Sequence, residues 1–169
     1  MILRRLSTSS ATPQAGPVGR AARQRDMSTR IQLSATVAAS AAAVFARVTD
    51  YSNVPAFIEG LQLLTPAGLA TTGTGALFDA VMKIGPSTFH SKVEITEYEP
   101  DRRVTWAASG GQAQAVTFDL DPIPSGTRVV VEVRYERPGG LAGSLLAPAI
   151  EQTVRVRARG ALRRLEQQL

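Results

Sequence analysis

From Leu61 to Arg137 apolar and polar residues alternate with period two, and from Gly140 onward the period becomes helical. This change of period constrains the fold more than any other feature of the chain. The alternating part is punctuated at Gly73-Thr74-Gly75, Gly85-Pro86, Glu99-Pro100-Asp101, Ser109-Gly110-Gly111 and Pro122-Ile123-Pro124-Ser125-Gly126. Turn signals spaced by about 10 to 14 residues describe a meander of about six antiparallel strands. Past Pro138-Gly139-Gly140, residues Leu146, Ile150, Val154, Ala158, Ala161, Leu162, Leu165 and Leu169 form one stripe. A helix of up to about 28 residues would be about 40 Å long, enough to cross a whole sheet.

The start of the folded part follows the same logic. In Arg30 to Val37, Ile31, Leu33, Ala35 and Val37 fall on one face and Arg30, Gln32, Ser34 and Thr36 on the other, predicting a half-buried strand. Ser40 is a helix N-cap before Ala41 to Val48. Asp50 or Ser52 can cap a second short helix that holds Val54, Pro55, Phe57 and Ile58 and stops at Gly60. Strand, two short helices, about six strands and a long terminal helix make an α+β layer arrangement, with the sheet curling around the long helix.

Charge is unevenly placed. The chain has 19 basic and 14 acidic residues, but Met1 to Asp26 alone contributes five Arg against one Asp. That Arg-, Ser-, Pro- and Gly-rich segment has no apolar periodicity and is expected to be a disordered basic tail. It reads as an upstream extension from a misassigned start, Met27 opening the working domain of residues 27–169. A mitochondrial transit peptide is the alternative. Arg outnumbers Lys 17 to 2, which suggests a GC-rich, bacterial coding sequence and a cytoplasmic protein. With the tail set aside, the charge no longer argues for nucleic acid. No cysteine and one histidine leave no thiolate chemistry and little for a metal site, and no cofactor is expected. No apolar run is long enough to span a membrane.

Sorting the strands by face asks what lines the interior. Phe78, Ala80, Met82 and Ile84 oppose Asp79, Val81 and Lys83; Phe89, Ser91, Val93 and Ile95 oppose His90, Lys92, Glu94 and Thr96. Val104, Trp106 and Ala108 oppose Arg103, Thr105 and Ala107, and Val116, Phe118 and Leu120 oppose Thr117, Asp119 and Asp121. Val129, Val131, Val133 and Tyr135 oppose Val130, Glu132, Arg134 and Glu136. Nearly every charge is outside, and Ser91 and Tyr135 are the main polar groups inside. General acid–base catalysis needs a titratable group within reach of substrate, and this lining barely supplies one. It suits an apolar pocket with a few orienting polar groups.

His90 falls on the solvent face. Tyr135 is the best catalytic candidate, as a proton donor, or a ligand anchor, although a Tyr ending a core strand is more often only an amphipathic core residue. Gly73-Thr74-Gly75 lacks phosphate-loop spacing and reads as a turn. Arg155, Arg159 and Arg163 form a solvated basic stripe, with weak docking on an anionic surface the alternative. Pro148 either starts the long helix proper or kinks it. Gly160, costly in a helix interior by up to about 1 kcal/mol, suggests close approach to the sheet or a ligand.

Several stretches resemble one superfamily in order and spacing. They are Ala43 to Tyr51, Val54-Pro55-Ala56-Phe57, Gly73-Thr74-Gly75, Glu97 to Trp106, Gly126-Thr127-Arg128-Val129, Tyr135-Glu136, Gly139-Gly140-Leu141 and Leu145-Leu146-Ala147-Pro148. The chain is similar over Met27 to Leu169 to the START-like, Bet v 1-like (SRPBCC) superfamily, and to its bacterial polyketide cyclase/dehydrase members. Val54 departs from the aromatic that many relatives carry before the Pro. The resemblance implies a helix-grip fold with a cavity between a curved sheet and the long helix. The expected ligand-binding residues are Phe57, Phe78, Met82, Phe89, Ser91, Val93, Trp106, Phe118, Val131, Tyr135, Leu146, Ile150 and Val154. The expected function is binding of a hydrophobic small molecule such as a lipid, polyketide, isoprenoid or quinone. A polyketide aromatase/cyclase or dehydratase is the alternative.

Overall fold

The computed structural model describes residues 28–109, 114–136 and 140–169, without the side chains of residues 28, 84 and 140–146. The expected basic tail, the Gly110-Gly111 and Pro138-Gly139 turns and the Leu146 side chain lie outside the described residues.

Seven strands run β1 (Ser28–Val37), β2 (Leu61–Pro66), β3 (Leu77–Ile84), β4 (Ser87–Glu99), β5 (Arg103–Ser109), β6 (Gln114–Ile123) and β7 (Gly126–Glu136). The helices are α1 (Ala41–Thr49), α2 (Val54–Phe57) and α3 (Gly140–Gln167). One antiparallel sheet has the order β1-β7-β6-β5-β4-β3-β2. The chain leaves β1, crosses to the far edge through α1 and α2, then returns strand by strand until β7 lies beside β1. This connection obliges α1 and α2 to cover one face of a curved sheet. The long helix covers the rest of that face, packing mainly on β1, β7 and α2.

Local chemistry sets the element ends. Ser40 Oγ accepts the Ala43 amide at 3.2 Å and caps α1. Asp50 does not cap α2, whose N-cap is Asn53, with Pro55 in the first turn. Its carboxylate accepts from the Ser52 amide (3.0 Å), Ser52 Oγ (2.6 Å) and Asn53 Nδ2 (2.6 Å), a local turn that aims the chain into α2. These bonds, Ser52's hydroxyl foremost, hold the Asp50 carboxyl below its ordinary value. At the other end of the chain, Arg47 Nη2 donates to the Gln168 carbonyl at 3.4 Å, placing a cation at the C-terminal end of α3. Pro148 lies inside α3 and neither starts nor ends it. Leu169 lies beyond the helix and is exposed.

A bulge in β4 changes the face pattern. Ile95 pairs with Trp106, yet Glu97 pairs with Thr105 and Tyr98 with Val104. Glu97 therefore points to the convex side and Tyr98 to the concave side, where its ring meets Phe45 edge-on at 5.0 Å. Strict alternation from Ile95 would have reversed both.

The convex face carries a polar row. Gln32, Glu132, Thr117, Thr105 and Glu97 lie side by side across five strands. Thr105 Oγ1 donates to Glu97 Oε2 at 2.6 Å and lies 2.9 Å from Thr117 Oγ1. Its one proton is spent on the carboxylate, so Thr117 is the donor of that second bond. Arg103 Nε donates to Glu97 Oε2 at 2.9 Å, and buried Glu132 pairs with Arg30 and Arg134.

The Thr105 hydroxyl first, then Arg103, hold the Glu97 carboxyl below its ordinary 4.5. A carboxyl depressed by folding stabilises the fold fully above the ordinary value, and this is lost as pH falls through the lowered folded value. Glu97→Gln should therefore destabilise the protein at neutral pH, and the difference should shrink as pH drops below 4.5. Urea unfolding across that range measures it; a difference independent of pH would contradict the assignment.

Candidate functional site: an apolar face closed at one end

The concave face is covered to very different depths along its length. On β4, Ile95 is fully buried, Val93 and Ser91 are partly covered, and Phe89 is 52% exposed. The facing wall shows the same gradient. On α3, Leu165, Leu162 and Ala158 are buried, whereas Val154 and Ile150 are only partly so. The loose ends coincide, because β7 ends at Glu136 and α3 starts at Gly140. The α3 N-terminus therefore lies near the Tyr135 end of β7, in a row that continues across the sheet through Gln114, Ala108 and Val93. The sheet and the helix form a clamp that is tight at the α1 side and loose toward Phe89.

The closed end is packed by aromatic rings. Phe78 and Trp106 lie 5.3 Å apart between centroids, Tyr51 and Phe78 5.5 Å, and Phe57 and Phe118 6.2 Å. Trp106 Nε1 donates to the Val48 carbonyl at 3.2 Å, tying the sheet to the end of α1. Phe57, Phe78, Trp106, Phe118 and Val131 are buried in this cluster. Met82, Phe89, Ser91 and Val93 on the sheet, and Ile150 and Val154 on α3, are covered only in part or exposed. Tyr135 stands between the two, buried itself but in register with exposed Gln114. The residues expected to line a cavity thus divide into a filled core and a partly open apolar wall.

The polar groups divide the same way. The Trp106 indole is satisfied within the fold, whereas no described residue hydrogen-bonds the Ser91 or Tyr135 hydroxyl. Four of the sheet's acidic side chains form ion pairs on the convex face: Asp79 with Lys92, Glu97 and Asp119 with Arg103, Glu132 with Arg30 and Arg134. His90 is exposed, in register with Val81. Among the described residues no three His, Cys, Asp or Glu side chains are grouped to hold a metal ion, and no helix is long and apolar enough to cross a membrane. On the outer side of α3, Arg155 pairs with Glu151 at 2.8 Å, and Arg159 and Arg163 are exposed.

Two open concavities flank the clamp. One, of about 440 Å³, lies beside α1 and holds Asp50, Tyr98 and Asp101. The other, of about 540 Å³, lies between α2, the start of β2, the β3–β4 turn and α3, and holds Leu61, Lys83, Arg157 and Arg164. Reading by faces missed this second group, since Lys83 follows the outward parity of its strand and the two arginines lie 74 and 81 residues further on.

Comparison with known proteins places this architecture. A family model described as polyketide cyclase/dehydrase and lipid transport matches residues 28–169. The chain belongs to that family. A search of curated proteins finds no match to this family member. Its fold is that of TTHA0849 from Thermus thermophilus, with TM-score 0.70 and 18% identity over 82% of this chain and 95% of that one. Ara h 8.0201 gives TM-score 0.64 and 13% identity over 83% and 96%. The di-domain ARO/CYC protein StfQ of the steffimycin biosynthetic pathway gives 0.67 and 12% over 88% and 52%. The polyketide cyclase/dehydrase family member thus has a helix-grip, Bet v 1-like fold: a curved seven-stranded antiparallel sheet gripping a C-terminal helix.

Proposed function

We propose that this protein binds an apolar small molecule between the open end of the concave sheet and the N-terminal half of α3. The observation that carries the reading is the matched gradient of burial on the two walls, which leaves Met82, Phe89, Val93, Ile150 and Val154 incompletely covered. Each CH2 that such walls remove from water stabilises a complex by about 0.8 kcal/mol. The Ser91 and Tyr135 hydroxyls, without partners among the described residues, orient a ligand oxygen. A lipid, polyketide, isoprenoid or quinone fits this description, and the family's description names both cyclase/dehydrase and lipid-transport members.

Binding of a series of primary alcohols to the full chain, followed by the fluorescence of its single tryptophan, tests this. Affinity should rise about fourfold for each added CH2 until the clamp is filled. Affinity independent of chain length would sink the reading. Tyr135→Phe should weaken binding about fivefold, by the loss of one hydrogen bond, with an unchanged unfolding midpoint.

The Tyr135 hydroxyl, without a partner among the described residues, also supports a second reading, an aromatase/cyclase or dehydratase acting on a polyketide-like chain held folded in the clamp. Catalysis would come chiefly from holding the chain in a reactive conformation, with Tyr135 donating a proton. On this reading Tyr135→Phe abolishes turnover while binding stays nearly intact.

A further inference from the structure

We infer that the 540 Å³ concavity beside α2 receives the anionic head group of an amphipathic ligand whose apolar part lies along the concave face. The inference rests on the apolar-ligand reading above and names the chemistry at the other end of that ligand.

Three cationic residues line it, Lys83, Arg157 and Arg164, with Glu59 as the acid among the lining residues. Glu59 is already engaged: Arg164 Nη2 donates to its Oε2 at 3.3 Å, and Arg164 Nε to the Phe57 carbonyl at 3.2 Å. Among the described residues, neither Lys83 nor Arg157 has an acidic group within ion-pair distance. Arg157 is moreover partly buried. A guanidinium drawn out of water without a carboxylate is costly, and its planar fork matches a carboxylate or phosphate. An incoming anion supplies the missing partner.

The backbone leaves room for this arrangement. Arg157 and Arg164 lie two turns apart on one stripe of α3, with Gly160 between them. A Cβ at position 160 would come within 3.3 Å of Arg164 Nη2. The space that the glycine leaves is therefore bordered by the Arg164 side chain, where the sequence suggested close approach to the sheet or a ligand.

The concavity is also joined to the apolar wall. Leu61 lines it and is in register with Met82 on the concave face. A Cβ at Gly60 would stand 3.9 Å from Met82 Cγ. A head group held by Lys83 and Arg157 would thus leave its chain at the edge of the Met82–Phe89 pair.

Dodecanol and dodecanoate share a chain and differ in charge, so their binding to the full chain, measured by calorimetry at low salt, separates the two ends of the ligand. Dodecanoate should bind about tenfold more tightly than dodecanol, as charge-assisted hydrogen bonds do. The advantage should fall at about 0.5 M salt. Lys83→Gln with Arg157→Gln should bring dodecanoate down to the level of dodecanol and leave dodecanol unchanged, while Arg157→Lys should keep most of the advantage. Dodecyl phosphate bound more tightly than dodecanoate would identify the head as phosphate, and the reverse order as carboxylate. Equal binding of dodecanol and dodecanoate by the unmodified protein, or an advantage that survives in the double variant, overturns the head-group site and leaves the apolar reading standing. If neither amphiphile binds, both fall.

Discussion

Gly126→Ala is expected to destabilise the protein by roughly 3 kcal/mol or more. Gly126 joins β6 to β7 with φ of +135°, a conformation in which a side chain is strained wherever it sits. Here a Cβ would also come within 2.1 Å of the Val37 carbonyl oxygen and 3.0 Å of Ala38 Cα. Both obstacles are backbone, so no rotamer change relieves them and the end of β1 must move. That end is held, since Val37 pairs with Thr127 and Thr127 Oγ1 donates to the Ala39 carbonyl at 2.8 Å. Displacing it disturbs the entry to α1 and, through α1, the tight end of the clamp. Urea unfolding gives the value directly. Gly68→Ala is the control, because nothing lies within 4 Å of a Cβ there. A loss at Gly126 no larger than at Gly68 would show that β1 yields freely.

Trp106→Ala should cost about 3–5 kcal/mol, the usual range for emptying a large aromatic site in a core. It removes the ring that packs on Phe78 and the donor to the Val48 carbonyl, leaving that oxygen without its indole partner. Trp106→Phe keeps most of the ring and should cost much less. The pair distinguishes core from wall. If Trp106 belongs to the filled end, Trp106→Phe should leave the affinity for a long-chain alcohol nearly unchanged. A large drop in affinity at unchanged stability would move Trp106 to the ligand wall. Thermal or urea unfolding beside alcohol binding decides between them, with ligand binding read by calorimetry because the variants lack the fluorophore.

Much of this arrangement is legible residue by residue. Strand alternation places Phe78, Val93, Trp106, Phe118 and Tyr135 on one face because side chains in a strand alternate sides by covalent geometry. The Ser40 cap and the α3 stripe are equally local. The β4 bulge is where local reading fails. Nothing in Ile95-Thr96-Glu97-Tyr98 marks the insertion except that a charge would otherwise face inward, and the bulge turns Glu97 to Thr105 and Arg103 instead.

Other features depend on which element lies opposite. Phe78 and Phe89 share a face, yet one is fully buried and the other 52% exposed. Lys83 and Arg157 are far apart in sequence and carry no motif that would join them. The periods, the faces and the scarcity of inward charge are written locally in the chain, because they follow from backbone geometry and burial energetics over a few residues. Which part of the apolar face is core and which is open wall, and which cationic residues line the concavity beside it, follow from the tertiary structure alone. Those outcomes depend on where α1, α2 and α3 cross the sheet, which is set by packing between distant segments.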